Sequence, residues 1–179
     1  MSLNHISEAI AASIKGVLPA LKTCEVHPGR FDEKELRRVA AKAPAVFVAL
    51  LSAGGLEGIE VQANTQWAAF VVTRDSVNGS RAQQAIGITQ AIACHLHDND
   101  LGLSDAISDC ENISARNLYS ASIDKTGTAM WVVTWQQALH IGSTVIASDV
   151  NDFLTACGQA QDGQGNTLIN SKQTLGANP

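Results

Sequence analysis

The chain has 179 residues and a formal net charge of -5, and 45% of its residues are hydrophobic while only 4% are aromatic, which predicts one domain whose core is mostly aliphatic. The negative charge and the scattered basic residues argue against a dedicated nucleic-acid binder, because such proteins neutralise phosphates with clustered Lys and Arg. No apolar run approaches the roughly 18 residues of a membrane span and the N-terminus lacks a signal pattern, so we expect a soluble cytoplasmic protein.

Two helices are predicted before the first strand. Apolar residues recur at steps of three and four from Ile6 to Leu21, which is typical of a helix with one buried face, and Pro19 should kink or end it. A second, short helix is predicted over Asp32–Lys42, because its first residue and Glu35 have the spacing of a helix-capping pair. Pro44 stops this helix.

Two strands and a long helix follow. Ala45–Ser52 is apolar on both faces, which predicts a central strand that is covered on two sides. Gln66–Arg74 alternates and predicts a second strand. After a polar loop, Asp75–Ser80, whose last residue can cap a helix, apolar residues at helical spacing predict the longest helix of the chain over Arg81–His97.

The segment Asn117–Gly142 predicts a β-hairpin. Tyr119 and Ile123 share one face of its first strand, and Trp131 and Trp135 share a face of its second strand. The linking residues 124–128 include Gly127, which suits a short turn. With the preceding elements, this hairpin predicts an α+β fold: a mainly antiparallel sheet of about four strands with a β-β-α-β-β core, packed with the long helix and the two N-terminal helices.

The predicted domain covers residues 1–157. Thr144–Ile146 can extend a sheet edge, and Val150–Cys157 is predicted to form a last short helix. From Gly158 the composition shifts to Gly, Asn and Gln, which predicts a flexible polar tail over residues 158–179.

The cysteines do not suggest a metal or redox site. Cys24, Cys94, Cys110 and Cys157 are too widely spread for either kind of motif. We expect them to be free thiols that behave as small buried apolar residues.

The densest group of possible metal ligands is His95, His97, Asp98 and Asp100. Two residues that are two positions apart on a helix diverge by about 200°, so the histidines cannot bind one ion unless the helix has already ended. Histidines in the last turn of a helix interact favourably with the helix dipole, which is a sufficient structural reason for their presence there. No metal site and no cofactor are therefore predicted.

Two further patterns fall short of a catalytic or nucleotide site. Gly54, Gly55 and Gly58 follow a strand but match neither a P-loop nor a dinucleotide-binding fingerprint, which favours a flexible loop between strands. Ser80 lies between a strand and a helix but lacks the nucleophile-elbow motif, and nothing in the sequence brings His140 to it. No catalytic residue is predicted.

The order of the predicted elements and three sequence segments resemble a small protein family of Mu-like phages and prophages. The segments are DEKELRRVAAKAPAVFVAL, WAAFVVTRD and NLYSASIDKTGTAMWVVTWQQALHIG, and the resemblance covers about Ile6 to Gly142. The family is similar to the tail terminator or tail-completion proteins of long-tailed phages. These proteins close a finished tail and provide the surface that the head joins.

The resemblance implies a structural protein that is not an enzyme. It implies a ring of copies, commonly hexameric, with the tail tube, the sheath and the head-completion proteins as partners. It also implies assembly in the host bacterial cytoplasm, a final place in the tail or neck of the virion, and no specific nucleic-acid or membrane binding.

Polar, glycine-rich segments are the candidate contact sites for such partners. They are Ser52–Asn64, Asp75–Arg81 and the C-terminal tail, and the candidate residues within the first two are Gly54, Gly55, Gly58, Asp75, Asn78 and Arg81. The alternative is a small cytoplasmic metal-dependent enzyme or ligand-binding module that uses His95, His97 and nearby acids.

Overall fold

The computed structural model describes residues 2–57, 61–76, 79–118, 120–142, 155–161 and 167–174. Their helices and strands are, in chain order, α1 (Leu3–Val17), β1 (Thr23–Val26), α2 (Glu33–Ala41), β2 (Ala45–Glu57), β3 (Gln62–Arg74), α3 (Arg81–Leu96), β4 (Glu111–Asn117), α4 (Ala121–Lys125), β5 (Thr128–His140), β6 (Thr155–Gln161) and β7 (Thr167–Thr174). None of the helices in these ranges has the length and apolarity that a membrane crossing requires.

Five strands form one sheet in the order β1-β2-β3-β5-β4. β1 is parallel to β2, and the other neighbours are antiparallel. The longest pairing joins β3 to β5, from Gln62 opposite His140 to Arg74 opposite Thr128. At about 3.3 Å per residue this ladder is about 40 Å long, so we refer to the Arg74 end and the His140 end of the sheet as separate places.

This architecture confirms the predicted α+β class, with a long helix and two N-terminal helices around a largely antiparallel sheet. The sheet has five strands instead of about four, and one of its pairs is parallel. The additional strand is β1, at one edge.

One face of the sheet packs against α1 and α3. Trp67 of β3 lies directly opposite Trp135 of β5, and both side chains are fully buried. The Trp67 indole N–H donates to Thr65 Oγ1 at 2.7 Å, and this hydroxyl donates to the Gln137 carbonyl at 2.7 Å. The helices contribute aliphatic side chains to the same cluster, namely Ile6, Ile10, Ile14, Ile92 and Leu96. A chain with few aromatic residues thus concentrates two of them at the centre of its core.

The opposite face packs against α2 and α4. Val39 of α2 and Ile123 of α4 join a second buried cluster with Phe47, Phe70 and Met130 of the sheet. Strand β2 therefore contributes to both clusters, which confirms the prediction that Ala45–Ser52 is covered on two sides.

Local capping signals set the helix ends as predicted. Asp32 accepts a hydrogen bond from the backbone N–H of Glu35 at 2.8 Å, and Ser80 accepts one from Gln83 at 3.4 Å. Each cap of this kind is worth about 1 kcal/mol. α1 ends with Leu18 as its C-cap, directly before Pro19.

Strand β1 was not predicted from the sequence. It has only four residues, including Glu25, and it shows no apolar alternation that would mark a strand. β1 forms because α2 reverses the direction of the chain, so that β2 runs parallel to β1 and pairs with it, with Thr23 opposite Ala45. The backbone N–H of Lys22 also donates to the carbonyl of Pro44, directly before β2, at 2.9 Å, and that of His27 donates to the carbonyl of Val48 in β2 at 2.8 Å.

The predicted hairpin over Asn117–Gly142 was wrong in its first strand. That strand is β4, which ends at Asn117, and the residues that alternate after it begin α4. Ser120 caps this short helix by accepting from the backbone N–H of Ile123 at 3.2 Å. Gly127 follows the helix with φ of 68°, a conformation that ends helices and favours glycine. Tyr119 lies outside the described residues.

The chain divides into two compact units, Met1–Gly142 and Ser143–Pro179. In the second unit β6 and β7 pair antiparallel, with Thr155 opposite Thr174. The predicted helix over Val150–Cys157 was wrong for Thr155–Cys157, which begins β6, and its residues 150–154 lie outside the described residues, as does Thr144–Ile146. The domain boundary at residue 157 and the flexible tail stay predictions.

The two tryptophans of β5 should respond differently to truncation. We expect Trp135→Ala to lower the free energy of unfolding by about 3 to 5 kcal/mol, because it empties a fully buried site. Trp131→Ala should cost clearly less, because Trp131 is only half-buried. Urea unfolding of both variants, followed by circular dichroism, measures the difference. Equal losses would contradict the placement of Trp135 at the core.

Candidate functional site

The first predicted contact residues, Gly54 and Gly55, lie within β2 and not in a flexible loop. β2 and β3 extend further than predicted, and Gly54 is paired with Asn64. Gly55 has φ of 65°, and a Cβ there would lie 3.1 Å from the Asn64 side chain. The register shift at this point therefore favours glycine. Gly58 lies outside the described residues.

The second predicted contact segment forms the corner between β3 and α3. Asp75 Oδ1 accepts a hydrogen bond from the backbone N–H of Arg81 at 2.8 Å. The Arg81 guanidinium donates to Asp124 at 2.8 Å, which ties the start of α3 to α4. Asn78 lies outside the described residues. The described members of this segment are thus engaged in fixing the corner.

The two segments do not form one site. Gly54 is paired with Asn64, which lies ten residues before Arg74 on β3. Ten residues of strand span about 33 Å. The predicted contact residues therefore mark two separate surfaces.

The candidate metal ligands do not converge either. His95 Nε2 lies 2.9 Å from Ser13 Oγ of α1, and burial lowers the pKa of this histidine. His97 is exposed, with Nδ1 3.0 Å from a carboxylate oxygen of Asp98. Within the described part of the chain, no three His, Cys, Asp or Glu side chains are grouped so that they could hold a metal ion. The geometry does not favour the metal-dependent alternative.

Ser80 and His140 are at opposite ends of the sheet. Ser80 caps α3, which starts beside the Arg74 end, and His140 closes β5. The length of β5 separates them by about 40 Å. They cannot act as a nucleophile and its base within one chain.

The cysteines differ in exposure. Cys24 is half-buried and Cys110 is buried, and this burial raises their pKa values to about 11 and about 12. Cys94 is exposed, so the expectation of burial was wrong for it. It lies on the solvent face of α3, two positions from the buried Ile92. The described thiols are free, and the side chain of Cys157 lies outside the described residues.

A buried histidine at the connection from β1 to α2 was not predicted from the sequence. His27 is 3% exposed and stacks on Phe31 with ring centroids 4.4 Å apart. Its Nδ1 accepts from the backbone N–H of Gly29 at 2.9 Å, and its Nε2 lies 2.6 Å from a carboxylate oxygen of Glu35. A neutral ring with its proton on Nε2 satisfies both contacts. These contacts join the connection to α2, and no catalytic or metal-binding motif in the sequence predicts them.

Charged side chains extend this contact across the edge of the sheet. Arg38 Nε donates to both carboxylate oxygens of Glu35 at 2.9 Å. Lys42 Nζ lies 2.6 Å from the Glu25 carboxylate of β1. Hydrogen bonds from Arg38 and His27 lower the pKa of Glu35 to about 2. The network attaches β1 to α2, which indicates a structural role.

A basic cleft lies at the Arg74 end. Lys22 and Arg74 are exposed at a cleft of about 510 Å³, and neither has an ion-pair partner among the described residues. The lining also contains Asp75, whose carboxylate accepts from Arg81. A second, more apolar cleft of about 280 Å³ adjoins it and shares Ala20, Pro44 and Gln84 with it. We call the two together the Lys22–Arg74 cleft. Their remaining lining residues are small or uncharged: Leu18, Ala20, Leu21, Ala41, Ala43, Ser76, Gln84, Gly87 and Ile88.

The opposite end of the sheet carries the acidic loop, which we define as residues 98–111. It contains no Lys or Arg, and its acids are Asp98, Asp100, Asp105, Asp109 and Glu111. Gln137 of β5 is 2% exposed, and its amide donates to the carbonyls of Asp100 and Ser108, each at 3.2 Å. Ile107 donates its backbone N–H to Ala138 at 2.8 Å, yet its side chain is 43% exposed. The loop is thus held in one shape with an apolar side chain among its acids.

Comparison with known proteins finds relatives among Mu-like phages. The model of a family described as Bacteriophage Mu, Gp37 matches residues 2–139. The Mu-like prophage FluMu protein gp37 of Haemophilus influenzae is 30% identical over 129 residues, which are 70% of this chain and 63% of that protein. The chain therefore spans less than two thirds of the length of the curated relative it matches.

The contacts of Glu35 with His27 and Arg38 predict that the stability of the protein depends on pH. The pKa of Glu35 is lowered from 4.5 to about 2 in the folded chain. The ionised carboxylate therefore stabilises the fold above about pH 4.5, and this stabilisation is lost as the pH falls through the pKa of the folded state. We expect the difference in unfolding free energy between the wild type and Glu35→Gln to be constant above about pH 5 and to shrink towards pH 2. Urea unfolding at each pH measures it. Glu8→Gln, at an exposed position of α1, is the control, and a difference that grows in acid would overturn the assignment.

Metal analysis tests the alternative function. Because His95 and His97 diverge, we expect the purified protein to hold far less than one zinc or manganese ion per chain, and His97→Ala to leave that content unchanged. Elemental analysis by mass spectrometry measures both. Stoichiometric metal that His97→Ala removes would instead favour a metal-dependent protein.

Proposed function

This chain belongs to the Bacteriophage Mu Gp37 family, and on that premise we propose that it is a structural virion-assembly protein of a Mu-like prophage. Its specific role is that of a tail terminator or tail-completion protein, which caps the finished tail and presents the surface that the head joins. The observation that carries the proposal is the family match over residues 2–139, which spans nearly all of the first compact unit.

The fold supports a role that depends on surfaces. Helices cover both faces of the sheet, and its central strands are buried. Such a body is rigid, so its ends can present fixed shapes to neighbours. In the described part of the chain the polar side chains of the predicted sites are engaged in caps and corners, which favours assembly over chemistry.

The proposed partners follow from this role. Copies of the chain form a closed ring, commonly of six, through heterologous contacts. The ring meets the tail tube and sheath on one side and head-completion proteins on the other. Assembly takes place in the host bacterial cytoplasm, and the protein remains in the tail or neck of the virion. The outer part of the β2–β3 hairpin, the corner at Asp75 and Arg81, and the C-terminal segment are candidate contacts.

Deletion of the gene from an inducible prophage tests the proposal. We expect lysates that contain heads and tails which have not joined, with tails of irregular length, because the tail end is not capped. Electron microscopy counts joined particles, and expression of the wild-type chain should restore them. An antibody to the chain should label the end of the tail that is nearest the head.

A control and a contrary outcome complete this experiment. Complementation with Glu8→Gln should match the wild type, since this exposed residue belongs to none of the proposed surfaces. Normal numbers of joined virions from the deletion strain, or label along the capsid alone, would overturn the proposal.

A further inference from the structure

The two ends of the sheet carry complementary surfaces. At the Arg74 end, Lys22 and Arg74 are exposed beside an apolar hollow and have no ion-pair partner among the described residues. At the His140 end, Asp109 and Glu111 are exposed and likewise have no cationic partner there, and Ile107 is 43% exposed beside them. Cations around an apolar hollow thus face one way, and acids around an apolar side chain face the other.

One chain cannot bring these surfaces together. Ala106 of the acidic loop bridges Leu139 of β5, which is paired with Ala63 of β3, eleven residues before Arg74. Glu111 is opposite Gln136 of β5, which is paired with Gln66 of β3, eight residues before Arg74. Eleven residues of strand span about 36 Å, and eight residues span about 26 Å. The two surfaces therefore cannot pair with each other within one chain.

We propose that copies of this chain join head to tail, with the acidic loop of one copy seated in the Lys22–Arg74 cleft of the next. Asp109 and Glu111 pair with Lys22 and Arg74 at the rim, and Ile107 enters the apolar hollow. This is a heterologous contact, which closes into a ring when the rotation between copies permits. The inference rests on the ring part of the proposed function and names the surfaces that form it.

Two details of the structure suit this contact. The buried amide of Gln137 holds the acidic loop at Asp100 and Ser108, so little conformational entropy is lost when the loop docks. Gly87 lines the hollow, and a Cβ added there would meet nothing within 4 Å. A glycine inside a helix is less favourable than an alanine, and here it leaves room on the side where Ile107 enters.

Charge reversal on one surface at a time tests the proposal. The cleft variant carries Lys22→Glu and Arg74→Glu, and the loop variant carries Asp109→Lys and Glu111→Lys. Sedimentation equilibrium of the full chain at low salt measures self-association. We expect each variant to associate at least about tenfold more weakly than the wild type, because like charges then face each other. Association of the wild type should weaken as salt is raised.

Mixing and recombining the variants tests the direction of the contact. An equimolar mixture of the two variants should associate again, because the reversed cleft of one chain, now acidic, accepts the reversed loop of the other, now basic. The native loop of the first chain likewise still fits the native cleft of the second, so the two variants should alternate in equal numbers. The chain with all four reversals should regain association, since its two surfaces are again complementary.

Matched controls separate this contact from a general charge effect. Arg30→Glu with Lys34→Glu changes the net charge as much as the cleft variant does, at exposed positions outside both surfaces, and it should associate like the wild type. Circular dichroism and thermal melts establish that each variant is folded.

Several results would overturn the inference. They are a wild type that stays monomeric up to about 1 mM, single-surface variants that associate like the wild type, and a folded four-reversal chain that does not recover. None of these results affects the gene-deletion experiment, so a failure of this interface and a failure of the proposed function remain distinguishable.

Discussion

The pairing of β3 with β5 is the interaction on which most other features of the protein depend. It runs from Gln62 opposite His140 to Arg74 opposite Thr128, and it places Trp67 directly against Trp135 at its centre. Burial of two indoles on one face and of Phe70 with Met130 on the other gives both helical layers a firm surface to pack on. The length of the same ladder, about 40 Å, keeps the two ends of the sheet apart.

Polar groups inside this ladder connect the core to the surface. Trp67 donates to Thr65, and Thr65 donates to the carbonyl of Gln137. The side chain of Gln137 in turn holds the acidic loop through the carbonyls of Asp100 and Ser108. Buried hydrogen bonds of this kind are costly to break, because the groups would be left without partners. The shape of the acidic loop is therefore determined by the same strands that form the core.

The edge strands of the sheet differ from its two ends in the contacts that they can make. β1 has only four residues and carries Glu25, which is paired with Lys42, while β4 is mostly exposed and carries Glu111 and Arg116. Short and charged edge strands disfavour pairing between sheets. Contacts at the ends of the sheet, where rigid loops and clefts meet, can then select partners by shape and charge. This division suits the ring of copies that we propose.

Local signals in the sequence determined much of this fold. The periodic apolar residues of α1 and α3, the caps at Asp32 and Ser80, and the two-sided burial of β2 depend on neighbours along the chain, so they could be predicted. The extra strand β1 could not, since it exists only through its pairing with β2, and Ser120 fits both the predicted strand and the helix that it caps. The candidate surfaces were decided by tertiary structure alone. Lys22 and Arg74 are 52 positions apart in the sequence, and only the folding of β1 and β3 into one sheet brings these two cations to one cleft and separates them from the acidic loop.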